Sequence, residues 1–120
     1  MSQVDQHDTN IGYQLVRLAR DQAKWSEETF GPDDVRGPLG ALRHLKKEAQ
    51  EAADAVDDKV ALVKELSDIL ILFLDARRRA GFSLLEIIQA AQAKMVENKA
   101  RQWPDWRTAD GTQPIEHLKE

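Results

Sequence analysis

Two acid pairs on neighbouring segments of the chain have the residue types and spacing of a metal site. Glu48 and Glu51 are three positions apart, and Glu65 and Asp68 repeat that spacing on the next predicted helix. Residues three apart share one helix face, so two antiparallel helices would bring four carboxylates together. Carboxylates gathered in a partly buried place need a counter-charge. The pattern therefore predicts a site for Mg²⁺ or Mn²⁺, which are hard cations that prefer oxygen ligands.

A second constellation lies near the end of the last predicted helix. Lys94, Asn98 and Arg101 are spaced i, i+4, i+7, so they follow one helical stripe. Two cations and an amide beside an acidic metal site suit an anionic ligand such as a polyphosphate. A solvated helix end is the alternative interpretation of this stripe. For His44, one turn before Glu48, a structural role is the alternative to a functional one. Asp75 is expected to form a salt bridge with Arg78 or Arg79 rather than to bind metal.

Hydrophobic periodicity and breaker residues predict four helices that position these groups. The first is expected to begin at a cap among residues 8–10 and to fade near Thr29, followed by a Gly- and Pro-rich loop over residues 30–38. The second begins at the Gly37-Pro38 step. The third has Asp57 or Asp58 as its cap and ends near Ala80, before a C-cap glycine. The fourth begins at a Ser-x-x-Glu capping box over residues 83–86 and stops before residue 104.

The helix pattern favours an all-α four-helix bundle as the fold class. We expect one domain over residues 1–120, with a loose N-terminal tail over 1–9 and a C-terminal tail over 107–120. Beyond Asp68 the third helix is apolar nearly all round, so it should be central or buried against a second subunit. A four-helix subunit has few ways to surround one of its own members, and a homo-oligomer is therefore expected.

Composition excludes several classes of protein and partner. The 120 residues carry a net charge of -4 without a basic run, which argues against duplex nucleic acid as a partner. The absence of Cys excludes disulfides and thiol catalysis and fits a cytoplasmic location. The longest apolar run, residues 69–74, is far shorter than a membrane span. The first ten residues carry no signal-peptide pattern, so a cytoplasmic protein without membrane association is expected.

The motifs together resemble those of the MazG-like all-α nucleotide pyrophosphohydrolases. Glu48 with Glu51, and the Glu-x-x-Asp pair on the next helix, are similar to the acidic motif of that family. The segment 94–104 resembles the family's segment with Lys, Asn and an aromatic-Pro ending. The stretches 25–32 and 44–48 are most similar to the dATP/dGTP diphosphohydrolase branch, which includes phage-encoded members. The resemblance covers about residues 11–106.

This resemblance implies hydrolysis of a (d)NTP, with dATP or dGTP preferred, to the monophosphate and pyrophosphate by attack of water at the α-phosphorus. Two or three Mg²⁺ ions per site, for which Mn²⁺ would substitute, are implied as cofactors, held by Glu48, Glu51, Glu65 and Asp68. Glu48 or Glu51 would hold or deprotonate the water. The substrate-binding residues implied are Trp25, which would meet the base, together with His44, Lys94, Asn98 and Arg101. A dimer or dimer of dimers is implied, in a bacterial or phage-infected host cytoplasm.

One departure from the family pattern and two alternatives remain. Lys47 stands where many members have a second Glu, which bears on the number of metals bound. The same reaction on another nucleotide, such as dCTP or dUTP, is one alternative. A non-catalytic helical dimer that binds a nucleotide is the other.

Overall fold

The protein is described by a computed structural model, in which the backbone is defined over residues 3–119 and the side chains over residues 10–119. Over this range it forms four α-helices and no strand. Their bounds are α1 Gln3–Phe30, α2 Leu39–Asp54, α3 Lys59–Arg79 and α4 Leu84–Ala100. The prediction of an all-α chain with four helices is therefore confirmed.

The chain divides into two compact units, Met1–Ser83 and Leu84–Glu120. In the first unit α3 packs against both α2 and α1. Within this unit α3 is thus the helix that contacts both others, and burial of α3 against a second subunit stays a prediction. The expectation of a single domain over residues 1–120 stays a prediction.

Local capping signals in the sequence set both ends of α3. The carboxylate of Asp58 accepts hydrogen bonds from the backbone N–H groups of Val60 and Ala61, at 3.1 and 3.2 Å, and so begins α3. At the other end, Gly81 has φ +88°, and its N–H donates to Arg78 O at 2.9 Å. The N–H of Phe82 donates to Arg77 O at 3.1 Å, which completes a Schellman motif. Both caps were predicted, because capping depends on residues close in sequence.

The first helix differs from the sequence-based expectation. It begins at Gln3, so residues 3–9 belong to α1 rather than to a loose tail. The expected cap among residues 8–10 is therefore wrong. Polar side chains such as Gln and Asp are compatible with an exposed helix, so a polar stretch does not by itself mark a helix start. Residues 1 and 2 lie outside the described range.

Buried polar groups occupy much of the centre of the first unit. Among the side chains of this unit that the structure describes, those that are apolar and fully or nearly buried are few and mostly small: Ala19, Ala52, Leu74 and Ala76. Beside them lie four of the five described polar or charged residues that are buried: Gln22, Ser26, Asp75 and Arg79. The latter four form one connected network, which joins α1 to α3 and to the loop over residues 31–38.

Asp75 and Arg79 form the centre of this buried network. Asp75 Oδ2 accepts from Arg79 Nε at 3.0 Å, and its Oδ1 accepts from Gln22 Nε2 at 2.9 Å and from Arg78 NH2 at 3.1 Å. Burial raises the pKa of Asp75, but hydrogen bonds from Gln22, Ser26, Arg79 and Arg78 outweigh it and hold the pKa at about 2. The predicted pairing of Asp75 with Arg78 or Arg79 is confirmed, and it involves both.

The guanidinium of Arg79 also fixes the loop between α1 and α2. It donates to the backbone oxygens of Gly31 at 3.1 Å and Arg36 at 2.9 Å, one near each end of the loop. A further bond at 3.0 Å reaches Ser26 Oγ on α1. Arg78 adds an ion pair to Asp33. The loop is therefore held from inside by a side chain of α3.

The second unit consists of α4 and the segment that follows it. None of the residues of α4 is buried. After a short 3₁₀ turn over Trp106–Thr108, the chain returns to the end of α4, where the N–H of Leu118 donates to Gln102 O at 2.8 Å. The rings of Trp103 and His117 meet edge to face at 5.9 Å. Part of the segment expected to be a C-terminal tail is therefore packed against residues 102–103.

No helix in the described part of the chain combines the length and apolar character required to cross a membrane.

Candidate active site

Three carboxylates from α2 and α3 converge in the first unit. Each of Glu48, Glu65 and Asp68 offers an oxygen that lies within 4.8 Å of the others. We call these three residues the acid cluster. Glu48 is buried on α2, whereas on α3 Glu65 is half-buried and Asp68 exposed. The i, i+3 spacing on α3 and the packing of α2 against α3 produce this convergence.

Proximity of like charges shifts the acidity of the cluster in two directions. A hydrogen bond to Glu48, together with burial and the negative charges of Glu48, Glu51 and Asp68, raises the pKa of Glu65 to about 7. The hydrogen bond from Glu65 lowers the pKa of Glu48, with further lowering by Glu51 and His44 and an opposing effect of burial. Two neighbouring carboxylates whose pKa values are shifted in opposite directions share one proton near neutral pH.

Two oxygens of the acid cluster are buried without a hydrogen-bond partner. They are Glu48 Oε2 and Glu65 Oε2. A buried carboxylate oxygen without a partner is costly, and a bound cation would remove both that cost and the repulsion between the acids. The donor set is all oxygen, which suits a hard divalent ion. The residues of the acid cluster could therefore hold a metal ion.

Glu51 lies beside the acid cluster rather than within it. Its charge contributes to the raised pKa of Glu65, and it interacts with Glu48, so it is close to both. Glu51 is half-buried, and its Oε1 lies 4.0 Å from Lys47 Nζ. Of the four predicted metal ligands, three converge and the fourth is a neighbour. Its role as a ligand stays a prediction.

A cavity of about 310 Å³ opens next to the acid cluster. Its wall includes Glu48 and Asp68 together with two aromatic residues, Trp25 and Phe30. The indole of Trp25 is half exposed and meets the Phe30 ring edge to face, with centroids 5.3 Å apart. His44, Ile71 and Leu72 complete the lining. Such a volume is near the lower end of the range of ligand clefts, about 300–1,000 Å³. We refer to it as the aromatic cavity.

His44 connects the aromatic cavity to the acid cluster. Its Nε2 lies 3.1 Å from Glu48 Oε1, while the rest of its side chain is about half exposed. The contact contributes to the lowered pKa of Glu48. The structure thus joins His44 directly to a predicted metal ligand, an arrangement that its i, i+4 spacing from Glu48 permits.

The predicted cationic stripe belongs to the second unit. Lys94 Nζ and Arg101 NH2 both pair with Glu97, at 3.1 and 2.7 Å. Arg101 NH1 also lies 3.4 Å from Asn98 Oδ1. Ion pairing with Lys94, with further contributions from Arg101 and His117, lowers the pKa of Glu97. The stripe is therefore partly neutralised, and its contact with a phosphate stays a prediction.

In each unit, some residues beside the candidate groups were not among the sequence-based candidates. Phe30, Ile71 and Leu72 line the aromatic cavity, and Glu97 joins the two cations of α4. The spacing of Glu97 from Lys94 and Arg101, three and four residues, was a signal for the latter. The lining residues carried no such signal, because the sequence does not distinguish an apolar side chain that faces a core from one that faces a cavity.

Comparison with known proteins places the chain in a family. A family model described as dATP/dGTP pyrophosphohydrolase matches residues 18–120. The Eaa protein of Salmonella phage P22 is 45% identical over 104 residues, which cover 87% of this chain and 30% of that protein. The chain thus spans under a third of the length of this relative. No solved structure matches it significantly. From the residues matched and from the acid motif within them, the chain belongs to the dATP/dGTP pyrophosphohydrolase family, a family of nucleoside triphosphate diphosphatases.

Proposed function

We propose that this protein hydrolyses dATP or dGTP to the deoxynucleoside monophosphate and pyrophosphate. The observation that carries the proposal is an aromatic cavity with two carboxylates of the acid cluster, Glu48 and Asp68, in its wall. A base stacked on the half-exposed indole of Trp25 would direct its phosphates toward Glu48 and Asp68. Stacking on an aromatic ring contributes about 1–3 kcal/mol per base. Family membership supports the same reaction.

Water is the nucleophile in the proposed reaction. Its oxygen forms a bond to the α-phosphorus, the bond from that phosphorus to the bridging oxygen breaks, and pyrophosphate leaves. Glu51, half-buried beside the acid cluster, is the residue we assign to hold this water and accept its proton, with Glu48 as the other candidate. His44 restrains the Glu48 carboxylate through its 3.1 Å contact.

Divalent metal is the cofactor we infer for this site. Glu48, Glu65 and Asp68 would hold it, with Glu51 as a further ligand, and the unpartnered oxygens of Glu48 and Glu65 support this. When bound, Mg²⁺ or Mn²⁺ supplies charge stabilisation to the phosphate oxygens and acidifies water. We propose two or three ions per site. Lys47 pairs with Glu51, where many family members have another acid, and so favours the smaller number.

The cations of α4 are a further part of the proposal. Lys94, Asn98 and Arg101 are assigned to the phosphate oxygens, for which Glu97 would have to release its ion pairs.

A homodimer or dimer of dimers in a bacterial or phage-infected host cytoplasm is part of the proposal. It is supported by the apolar side chains that α3 leaves exposed, among them Val63, Leu66, Leu70 and Phe73. Neither duplex nucleic acid nor membrane is a proposed partner.

The reaction is tested with a nucleotide panel and labelled water. The purified protein is incubated with Mg²⁺ and dATP, dGTP, dCTP or dUTP in H₂¹⁸O, and pyrophosphate and orthophosphate are measured separately. We expect pyrophosphate as the product, ¹⁸O in the monophosphate, and faster turnover of the purines. Label in the pyrophosphate would place the attack at the β-phosphorus. Faster turnover of a pyrimidine would contradict the purine assignment.

Variants separate catalysis from nucleotide binding. Asp68→Asn should abolish turnover and the rise in melting temperature that Mg²⁺ causes in the wild type, since a ligand bound only to the folded state stabilises it. Asp54→Asn is the matched control, because Asp54 is an exposed acid of α2 that bonds Gln50. Wild-type turnover in Asp68→Asn would remove the acid cluster from the mechanism. A wild type that binds nucleotide but releases no pyrophosphate would favour a non-catalytic nucleotide-binding dimer.

A further inference from the structure

A recess of about 90 Å³ adjoins the aromatic cavity. Both spaces share Phe30, His44 and Leu72 in their linings, so the recess lies behind the wall that these residues form. The remaining lining comes from the loop and from α2 and α3: Arg36, Gly37, Gly40, Ala41, Asp75 and Arg79. Since one water takes up about 30 Å³ in the liquid, the recess is too small for a base. Its size suits the polar groups at the edge of a base.

The hydrogen-bonding groups of the recess are mostly occupied. Both oxygens of Asp75 accept from neighbouring side chains, and the Arg79 guanidinium donates to that carboxylate and to three backbone oxygens. His44 is engaged with Glu48. In contrast, Arg36 has no side-chain hydrogen bond or ion pair to any residue of the described chain. Among the side chains that line the recess, Arg36 therefore presents the uncommitted donors.

The backbone of Arg36 is held in place by hydrogen bonds to Arg79 and Pro32. Its carbonyl oxygen accepts from buried Arg79 NH1 at 2.9 Å, and its N–H donates to Pro32 O at 3.0 Å. Its guanidinium lies over Gly40 of α2, where an added Cβ would come within 3.1 Å of NH2. Glycine at this position thus leaves room for the guanidinium. A donor with an anchored backbone loses less conformational freedom when it binds.

We propose that Arg36 reads the edge of the base and makes the protein prefer dGTP over dATP. This inference rests on the proposed function. Arginine donates in parallel to the O6 and N7 acceptors of guanine, the commonest specific contact to that base. Adenine carries an amino group where guanine carries O6, so donor would face donor. Arg36 is exposed in the structure, and a bound base would cover its donors. Donors covered by adenine and left unpaired would weaken the binding of that base relative to guanine.

The test compares two substitutions of Arg36 with a matched arginine of the same region. Arg36→Met removes the donors, and Arg36→Lys keeps the charge but loses the planar fork that binds two acceptors. We expect both to reduce the dGTP to dATP ratio of kcat/KM about tenfold, the discrimination of one bidentate pair, with dATP turnover retained. Arg43→Met, on the exposed face of α2, should leave the ratio unchanged.

Two further substrates and one binding measurement decide between explanations. dITP keeps O6 and N7 but lacks the guanine amino group, so it should be turned over like dGTP, whereas 7-deaza-dGTP should lose part of the preference. An equal loss of dGTP and dATP in Arg36→Met would assign Arg36 to the phosphates and overturn the proposal, as would an unchanged ratio. Calorimetric binding of dGMP and dAMP needs no turnover. Tighter binding of dGMP that disappears in Arg36→Lys would sustain the inference even if the protein proved inactive, and equal or absent binding would refute it.

Discussion

At the scale of single residues, the acid cluster brings like charges together in a candidate metal site and lowers the stability of the metal-free protein. Three carboxylates share a space in which two of their oxygens have no partner. Groups with strongly shifted pKa values cluster at functional sites, where the fold holds charges that would otherwise separate. The cluster should therefore destabilise the metal-free protein, and the size of this effect should depend on pH.

We predict that Glu65→Gln stabilises the metal-free protein at pH 8 but not at pH 5. The folded-state pKa of Glu65, about 7, lies above its ordinary value of 4.5. Stability from its protonated form is complete below pH 4.5 and is lost as pH rises through 7. The lowered pKa of Glu48 acts in the other direction, but only as pH falls toward and below 4.5. The glutamine variant escapes the repulsion that develops between pH 5 and 8.

The measurement is the melting temperature in EDTA across this pH range. Wild type should lose stability relative to Glu65→Gln as pH rises. Asp54→Asn, whose acid lies outside the cluster, should run parallel to wild type. Parallel curves for Glu65→Gln and wild type would mean that Glu48 and Glu65 do not share a proton.

At the scale of elements, the buried network replaces an apolar core in joining α1, α3 and the loop. A paired buried arginine is weak evidence for net stability, because its desolvation is costly. Removing one partner is different, since the other charge is then left buried and uncompensated. This asymmetry makes the network sensitive to single substitutions.

Arg79→Met should lower the free energy of unfolding by about 3–5 kcal/mol. The side chain of Arg79 is only 2% exposed, and its loss would leave Asp75 with fewer donors and two loop carbonyls without their partner. Chemical denaturation measures the change. Arg20→Met, on the exposed surface of α1, should stay within about 0.5 kcal/mol of wild type. A loss below 1 kcal/mol in Arg79→Met would show that the loop is held by other contacts.

The start of α3 provides a matched pair of neighbouring acids. Asp58→Ala should cost about 1 kcal/mol, because its carboxylate accepts from the N–H groups of Val60 and Ala61. Asp57→Ala removes the same charge without removing the cap and should cost much less. The two variants are compared by urea denaturation. Equal losses would attribute the effect to charge at the helix N-terminus rather than to capping.

At the scale of the whole molecule, exposed apolar side chains are more informative than buried ones. On α3, Val63, Leu66, Leu70 and Phe73 are exposed, and their 3-4-3 spacing places them on one face. None of the residues of α4 is buried, although isolated helices are marginal in water. Both observations are expected of a subunit that completes its core with another copy.

We predict that the protein is at least a dimer in solution and that Leu66→Asp reduces its assembly. Leu66 is 52% exposed in the single chain, so a charge there should disturb an interface more than the interior of a subunit. Light scattering after size exclusion gives the mass. Val35→Asp, at a loop valine that is 79% exposed, should keep the wild-type mass. A monomeric wild type at micromolar concentration would contradict the prediction.

Local features were predictable from sequence, whereas long-range ones were not. Asp58, Gly81 and the pairs of Asp75 with Arg78 and Arg79 depend on residues at most four apart, and each was foreseen. Of the four predicted metal ligands, three converge in the acid cluster. Their convergence was predictable because two i, i+3 pairs need only antiparallel packing of their helices to meet. The bonds from Arg79 to Ser26 and Gly31 span 53 and 48 residues. Hydrophobic periodicity does not predict such contacts between residues far apart in the sequence.

The loop between α1 and α2 is tied to the protein mainly through its main chain. Arg79 binds the carbonyl oxygens of Gly31 and Arg36, and every amino acid carries such an oxygen. Among the described loop side chains, Asp33 alone contributes ion pairs, to Arg78 and to Arg79 NH1 at 3.8 Å. Residues 34 and 35 could therefore be randomised with the anchor intact, which makes this loop a starting point for the directed evolution of enzymes with altered nucleotide preference.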